Sequence, residues 1–393
     1  MNIVFYRYNS ICEHDYIAAF NMLGITVVEF RHTEAEFNQL VAEFGRLVLE
    51  NHPVFVFSIN FFPFISIVCE KLNIKYVCVS VDCPVMEIYN SAIRNSCNRV
   101  FLFDREQYLT IRDENPDRIF HLPLGAAVER IDDTIGEFDK CFSDYKYDVS
   151  FVGSLYNEKD PYPELDLPQY EKGYLDGLIS VQELFPGLEL IENSLTDETV
   201  QALKHTDPSF YPSDMSVFNI DCFVAVNNYL SYHLTYLDRV MMISTVAGYT
   251  NANGIHFFTL SDTSVLSGNA QNYKLMIHGG VDSLKEMPRV FRQSKININH
   301  TMRSIKTGLP QRIWDVMGSG GFLLTNSQSE IPDYLNPGEH LETYDSLDEL
   351  VEKINYYLAH EDERREIAFA GYTEVKNRHT VLHRVMEMIK KIQ

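Results

Sequence analysis

The sequence predicts an α/β protein built as two Rossmann-like domains, each a parallel sheet covered by helices. Three observations lead to that expectation. Short apolar runs alternate with amphipathic segments from residue 2 to about 122, and again from 147 to 344. Such alternation gives parallel sheets whose strands are buried on both faces. At 393 residues the chain also exceeds one ordinary hydrophobic core. Finally, a polar stretch over residues 129–146, with Asp132, Asp133, Glu137, Asp139 and Asp144, divides the two series. The expected division is a first domain over 1–128, a linker over 129–146, a second domain over 147–376, and a last helix over 377–393 packing back on the first domain.

Residues 2–6 form the first strand. Ser10 is a candidate cap for a helix running to about Leu23, and Gly24 ends it. Further strands are expected at 25–30, 54–58, 76–81, 99–103 and 119–122. A helix over 34–49 puts Phe37, Leu40, Phe44 and Val48 on one face, and shorter helices fit 64–72 and 91–95. The second series opens with Tyr147–Val152 and runs into Gly153-Ser154, where a ligand meets backbone in sheets of this kind. Residues 156–250 interrupt it, with helices expected at 170–185, 196–205 and 217–246 and no strand between them. This insertion could line a substrate cleft, form a homodimer contact or pad the core. Strands resume at 255–260, 274–277, 296–299, 322–325 and 339–344. Helices at 283–293, 347–360, 363–376 and 381–391 complete the pattern.

The net charge of −22 argues against nucleic acid or an anionic membrane as a general electrostatic partner. Seven scattered cysteines with no Cys-x-x-Cys give neither a zinc site nor a disulfide framework. They suit a reducing compartment, and with no basic leader at the start the expected location is cytoplasmic. The most apolar run, residues 53–68, carries Ser58, Asn60, Pro63 and Ser66 and is too short and polar for a membrane span.

Residues 297–326 read as strand, polar loop, helix, glycine turn and strand. Pro310 suits the first turn of the helix, and Gly318, Gly320 and Gly321 close it. The loop before it carries Arg303, Ser304, Lys306, Thr307 and Gly308. Cations, hydroxyls and free amides at a helix N-terminus are what a diphosphate needs, although an ordinary crossover with an Arg312–Asp315 pair reads the same way.

The run LPQRIWDVMGSGGFLLTN, then Glu330, then DYLNPGEHLETYDSLDELVEKINYYL and the helices after it, resembles the C-terminal half of GT-B glycosyltransferases. The nearest group is the spore-maturation-protein-like glycosyltransferases. The resemblance covers residues 147–385 outside the insertion, strongest over the last hundred, while the first half matches loosely through VSVDCP and Phe103-Asp104. It implies a nucleotide-sugar site assembled residue by residue. Asp315 would accept hydrogen bonds from the ribose hydroxyls. Thr307 stands where relatives carry another acid, so it is a nucleotide-sugar-site candidate that departs from their pattern. Gly320 and Gly321 match the glycines after the helix. His278, Gly280 and Val281 match a segment whose backbone reads the base. Gly153 and Ser154 match the diphosphate loop, and Arg303, Lys306 and Arg312 are the cations for the diphosphate.

Glycosyl transfer stabilises a leaving diphosphate, aims and often deprotonates an acceptor hydroxyl, and excludes water. No Asp-x-Asp occurs in the chain, so the expected mechanism uses no metal and no further cofactor. A UDP- or GDP-linked sugar is the donor, with a protein, glycan or surface polymer as acceptor. Candidate bases are Glu13, His14 and Asp15 after the first strand, and Asp82 after the fourth. Asn299 and His300, at the end of a second-domain strand, are donor-site candidates. Two other readings stay open. One is a nucleotide-sugar 2-epimerase; the other is a non-catalytic binding protein on the same fold.

Overall fold

In the computed structural model, residues 1–31, 36–185, 188–267 and 274–392 are described. The first sheet contains β1 (Asn2–Arg7), β2 (Thr26–Arg31), β3 (Phe55–Ile59), β4 (Lys75–Val79), β5 (Asn98–Leu102) and β6 (Ile119–His121). It is parallel, in the order β2-β1-β3-β4-β5-β6, with Val4 opposite both Val28 and Val56. The second sheet contains β7 (Tyr147–Val152), β8 (Ile255–Phe258), β9 (Leu275–His278), β10 (Ser294–Asn299), β11 (Leu323–Asn326) and β12 (Glu342–Tyr344). It is also parallel, in the order β12-β11-β10-β7-β8-β9. The central strands are buried along their whole length, as in β3, because helices cover both faces. Strand order reverses between β1 and β3 and between β7 and β10, and ligands bind at the carboxyl ends of strands at such points.

Several local expectations change. The helix expected over 34–49 begins at Phe37, and residues 34 and 35 of that expectation lie outside the described residues. Ser10 caps nothing: the first helix is Glu13–Met22, and Glu13 itself accepts the N–H groups of Tyr8 and Ser10 at 2.7 and 3.0 Å. The polar linker starts as a helix, Val128–Ile135, whose buried Val128 and Ile131 make an apolar stripe too short to stand out in the sequence. The long helix expected at 217–246 divides into Asp221–Val224, a π turn at Ala225–Leu230, and Ser231–Tyr249.

The insertion packs away from its own sheet. Its Leu175, Ile179, Val200, Leu203 and Leu230 form one core with Tyr76, Cys78, Val100 and Leu102 of the first domain. Helix Ser231–Tyr249 then crosses over, so that Met242, Ile243 and Val246 lie in the core of the second sheet. The last helix, Val381–Ile392, places Val381, Val385, Met388 and Ile392 against Ile3, Phe5 and Phe57.

The two domains also meet at a polar corner. The carboxylate of Asp104 accepts the N–H groups of Thr307 and Gly308, at 2.8 and 2.9 Å. A Cβ on Gly308 would stand 2.8 Å from the Phe103 carbonyl oxygen, so only glycine passes here. Buried Glu330 accepts the Thr307 hydroxyl at 2.7 Å and the Arg105 N–H at 2.8 Å, and pairs with His121 at 2.8 Å. Burial pushes the Glu330 carboxyl up, and these partners more than offset it, leaving it below the ordinary glutamate value. Glu330→Ala is expected to destabilise the protein by ~3 kcal/mol in urea denaturation, because it leaves buried donors unpaired.

Candidate functional site

At the reversal point of the second sheet lies a cavity of about 220 Å³. Gly153 and Ser154 follow β7, Asn299 and His300 end β10, and Pro310, Gln311 and Arg312 open the helix Gln311–Gly318. Asp82, after β4, closes it from the first domain. Six of the residues singled out from the sequence therefore meet here: Asp82, Gly153, Ser154, Asn299, His300 and Arg312.

The residue that defines the cavity's charge is Arg239, which the sequence reading missed. It lies on the buried face of helix Ser231–Tyr249 and is 7% exposed. Two of its nitrogens donate to the carbonyls of Ser154 (2.5 Å) and His300 (2.7 Å), and its buried Nε has no partner. Its guanidinium lies 4.6 Å from the Tyr156 ring centroid. Arg312 faces the same space, over the Phe291 ring at 5.2 Å and against the Met287 sulfur. Among the described residues neither arginine has a carboxylate within ion-pair distance. Burial lowers the proton affinity of both; at Arg312 the Asp315 carboxylate opposes that fall and the charge of Arg239 adds to it. The first turn of helix Gln311–Gly318 has no side-chain cap, leaving its amides directed at this space.

The other expected cations are already committed. Arg303 holds Asp238 with two bonds, at 2.7 and 2.9 Å. Lys306 pairs with Glu189 at 2.7 Å. Thr307 belongs to the interdomain corner. Gly320 and Gly321 lie at the far end of the helix from the cavity. Gly320, at φ +77°, packs on the Phe138 ring, and a Cβ on Gly321 would stand 2.6 Å from Asn297 Nδ2. Their requirement for glycine comes from packing and, at Gly320, also from its left-handed backbone. His278 ends edge strand β9, stacked on Phe258 at 4.4 Å. Gly280 fits under Leu260, and Val281 packs on the core. None of these three lines the cavity.

Asp315 lies one turn further along the helix, does not line the cavity, is half-buried, and accepts from Gln311 Nε2 at 2.9 Å. Burial raises its carboxyl above the ordinary value, and Arg312 opposes that rise. Of the base candidates, Glu13 is buried and paired with Arg7 at 2.9 Å, so it fixes the turn after β1. Asp15 is paired with Arg130 at 2.6 Å, and Arg130 also donates to the Leu284 carbonyl. His14 is exposed and lines no cavity described here. Asp82 alone faces the arginines across open space. Its Oδ2 accepts from Asn60 Nδ2 at 2.7 Å, and the same amide nitrogen donates to the Tyr8 hydroxyl at 2.9 Å. Asn60 takes a left-handed φ of +58° at the end of β3, a conformation asparagine tolerates.

Residues 259–390 match a family model described as glycosyl transferase-like. An uncharacterized protein of Aquifex aeolicus (strain VF5) is 30% identical over 135 residues, a match that spans 33% of this chain and 33% of that relative. Among solved structures, sucrose-phosphate synthase from Thermosynechococcus elongatus superposes with a TM-score of 0.58 at 9% identity, over 100% of this chain and 98% of that one. The fold is GT-B. A glycosyltransferase from Rickettsia africae gives 0.55 at 12% identity, over 100% and 98% of the two chains. HepE of Anabaena, solved with UDP-glucose, gives 0.54 at 10% identity, over 99% and 98%. The family model matches part of the second half of the chain, and the solved structures share its GT-B fold.

The Arg303–Asp238 pair has a pH signature. Burial raises the Asp238 carboxyl, but hydrogen bonds and charge from His300 and Arg303 outweigh it and hold the group at about 2, below its ordinary 3.8. The stabilisation is present above pH 3.8 and is lost as pH falls through about 2. Asp238→Asn is expected to remove on the order of 2 kcal/mol of the acid-side slope between those values, read from denaturation at stepped pH.

Proposed function

We propose that this chain transfers a sugar from a nucleoside-diphosphate donor to a hydroxyl of a protein, glycan or surface-polymer acceptor, without a metal at the diphosphate. The observation that carries this reading is the pair Arg239 and Arg312. Both are desolvated, neither has a carboxylate within ion-pair distance among the described residues, and both line the cavity at the capless N-terminus of helix Gln311–Gly318. Buried guanidinium charge of this kind demands an anion. A diphosphate supplies it, and as its bond to the sugar breaks, the same donors stabilise the growing negative charge. Asp315, one turn along the same helix, would accept hydrogen bonds from the ribose. Asp82, held by Asn60, would accept the proton of the acceptor hydroxyl. UDP is the favoured nucleotide, since HepE of the same fold was solved with it. The epimerase reading needs several carboxylates and a histidine in one cleft, and Asp82 is the single carboxylate lining the cavity. Thr307, the non-acidic position that keeps the binding-protein reading open, lies in the interdomain corner and outside the cavity.

Thermal stabilisation by UDP, GDP and their sugars in EDTA tests the donor site. At least one nucleotide is expected to raise the melting temperature through linkage. Arg239→Met or Arg312→Met should weaken that nucleotide by about tenfold to a hundredfold, whereas Arg303→Met should change affinity less than about threefold. Stabilisation by none of them overturns the reading. Separately, Asp82→Asn should reduce sugar turnover by about a hundredfold while leaving nucleotide affinity unchanged.

A further inference from the structure

A larger cavity, of about 370 Å³, lies beside the donor cavity and shares His300, Thr301, Met302 and Ile305 with it. It lies at the carboxyl ends of three neighbouring strands of the second sheet. The turn after β10 supplies Arg303, the end of β11 and the turn after it supply Asn326 and Gln328, and the turn after β12 supplies Asp345. The insertion adds Glu183 and Met241. The turns after β11 and β12 take no part in the donor cavity. The volume is within the range of about 300–1,000 Å³ usual for small-molecule sites.

Several polar atoms of this wall are left over once the fold has taken its own hydrogen bonds. Asn326 is half-buried, and its Oδ1 accepts the Thr301 N–H at 2.8 Å. A backbone N–H can only donate, so the orientation of the amide is settled and Nδ2 is its free end, with two N–H groups to offer. Gln328 is also half-buried; its Nε2 reaches the Ile305 carbonyl at a long 3.5 Å, and its Oε1 has no partner among the described residues. Arg303 uses Nε and Nη2 on Asp238 and keeps Nη1. None of these three atoms is sealed inside the protein.

The charge of the wall limits what they can hold. Asp238 neutralises Arg303, and Glu189 neutralises Lys306. Glu183 and Asp345 have no cation within ion-pair distance among the described residues, so the wall carries excess negative charge. That field disfavours phosphates and acidic sugars. Met241, Met302, Ile305 and Leu347 add apolar surface, which suits the C–H face of a ring. Donors and acceptors set among apolar atoms, without an unpaired cation, fit an uncharged polyhydroxyl ligand.

We propose that this cavity is a carbohydrate subsite that holds one uncharged sugar ring, with Asn326 donating to it and Gln328 accepting from it. The choice of a sugar rests on the transferase reading above. The ring has two possible sources, the sugar carried by the nucleotide and a sugar of the acceptor, and both present the same hydroxyls.

Two measurements on the full chain in EDTA separate them. Calorimetry compares UDP with UDP-glucose, UDP-galactose and UDP-N-acetylglucosamine. Saturation-transfer NMR in the presence of UDP compares free glucose, galactose, mannose, N-acetylglucosamine and glucuronate. If the nucleotide brings the ring, Gln328→Leu and Asn326→Ala should each weaken one UDP-sugar by about fivefold, the loss of one or two hydrogen bonds, with UDP affinity unchanged. If the acceptor brings it, a free neutral sugar should show transfer that falls by a similar factor in the same variants. Gln328→Leu disturbs only the long contact to Ile305, so it carries the test should Asn326→Ala, which loses the bond to Thr301, fail to fold. UDP-sugars unaffected by either variant together with no transfer from any free sugar, or glucuronate bound as well as glucose, would overturn the subsite; the donor site stands if UDP still binds. A neutral sugar bound in a Gln328-dependent way by a chain that does not bind UDP would keep the subsite and remove the transferase reading.

Discussion

A guanidinium keeps its charge at any pH a protein tolerates, so burying Arg239 sets a condition that the surroundings must meet. Two backbone carbonyls and two aromatic rings meet it in part. They supply partial charges only, and Nε keeps no partner. Arg312 beside it adds a second charge of the same sign. Such a pair raises the free energy of the empty site and lowers that of a site filled by a dianion. Much of the surrounding structure serves to hold the two together. Ser154 and His300 present their carbonyls from the strand reversal, and the Arg303–Asp238 pair fixes the helix that carries Arg239.

The chain's path keeps that arrangement closed. Helix Ser231–Tyr249 begins in the core of one domain and ends in the core of the other. The last helix returns to the first sheet, and Asp104 and Glu330 tie the domains at a third place. Arg130 joins the first helix, the linker helix and the second domain in one set of contacts. Asp82 is thereby fixed opposite the arginines by several independent attachments. A hydroxyl, a proton acceptor and a leaving diphosphate can share one dry space only if those positions are kept.

The sequence was most legible where burial alone decides structure. Parallel strands covered on both faces are mostly apolar, so the runs Ile3–Tyr6, Val54–Phe57, Tyr76–Val79 and Phe322–Leu324 stand out. Gly153-Ser154 and Asn299-His300 followed, because strand ends at a reversal are a property of topology. The insertion's partner was not legible. Its apolar faces would serve equally against either sheet, and only the tertiary path selects the first. Charges were read least well. Arg303 and Lys306 sit in the expected loop, but Asp238, Glu189 and Glu192 arrive from distant segments and take them up. Arg239 gave one signal that could have been used: it shares a helical face with Leu234, Thr235, Met242 and Val246, where a cation must find an anion or carbonyls. Glu13 and Asp15 looked like bases because first-turn acids and catalytic acids share an address; Arg7 and Arg130 decide the matter in space.

The most direct measurement is a crystal structure of the full chain with UDP. The diphosphate oxygens are predicted to lie within hydrogen-bonding distance of Arg239 Nε, the Arg312 guanidinium and the first free amides of helix Gln311–Gly318, with the ribose at Asp315. A diphosphate held instead by Arg303 and Lys306, with their carboxylate partners displaced and Arg239 untouched, would contradict the account.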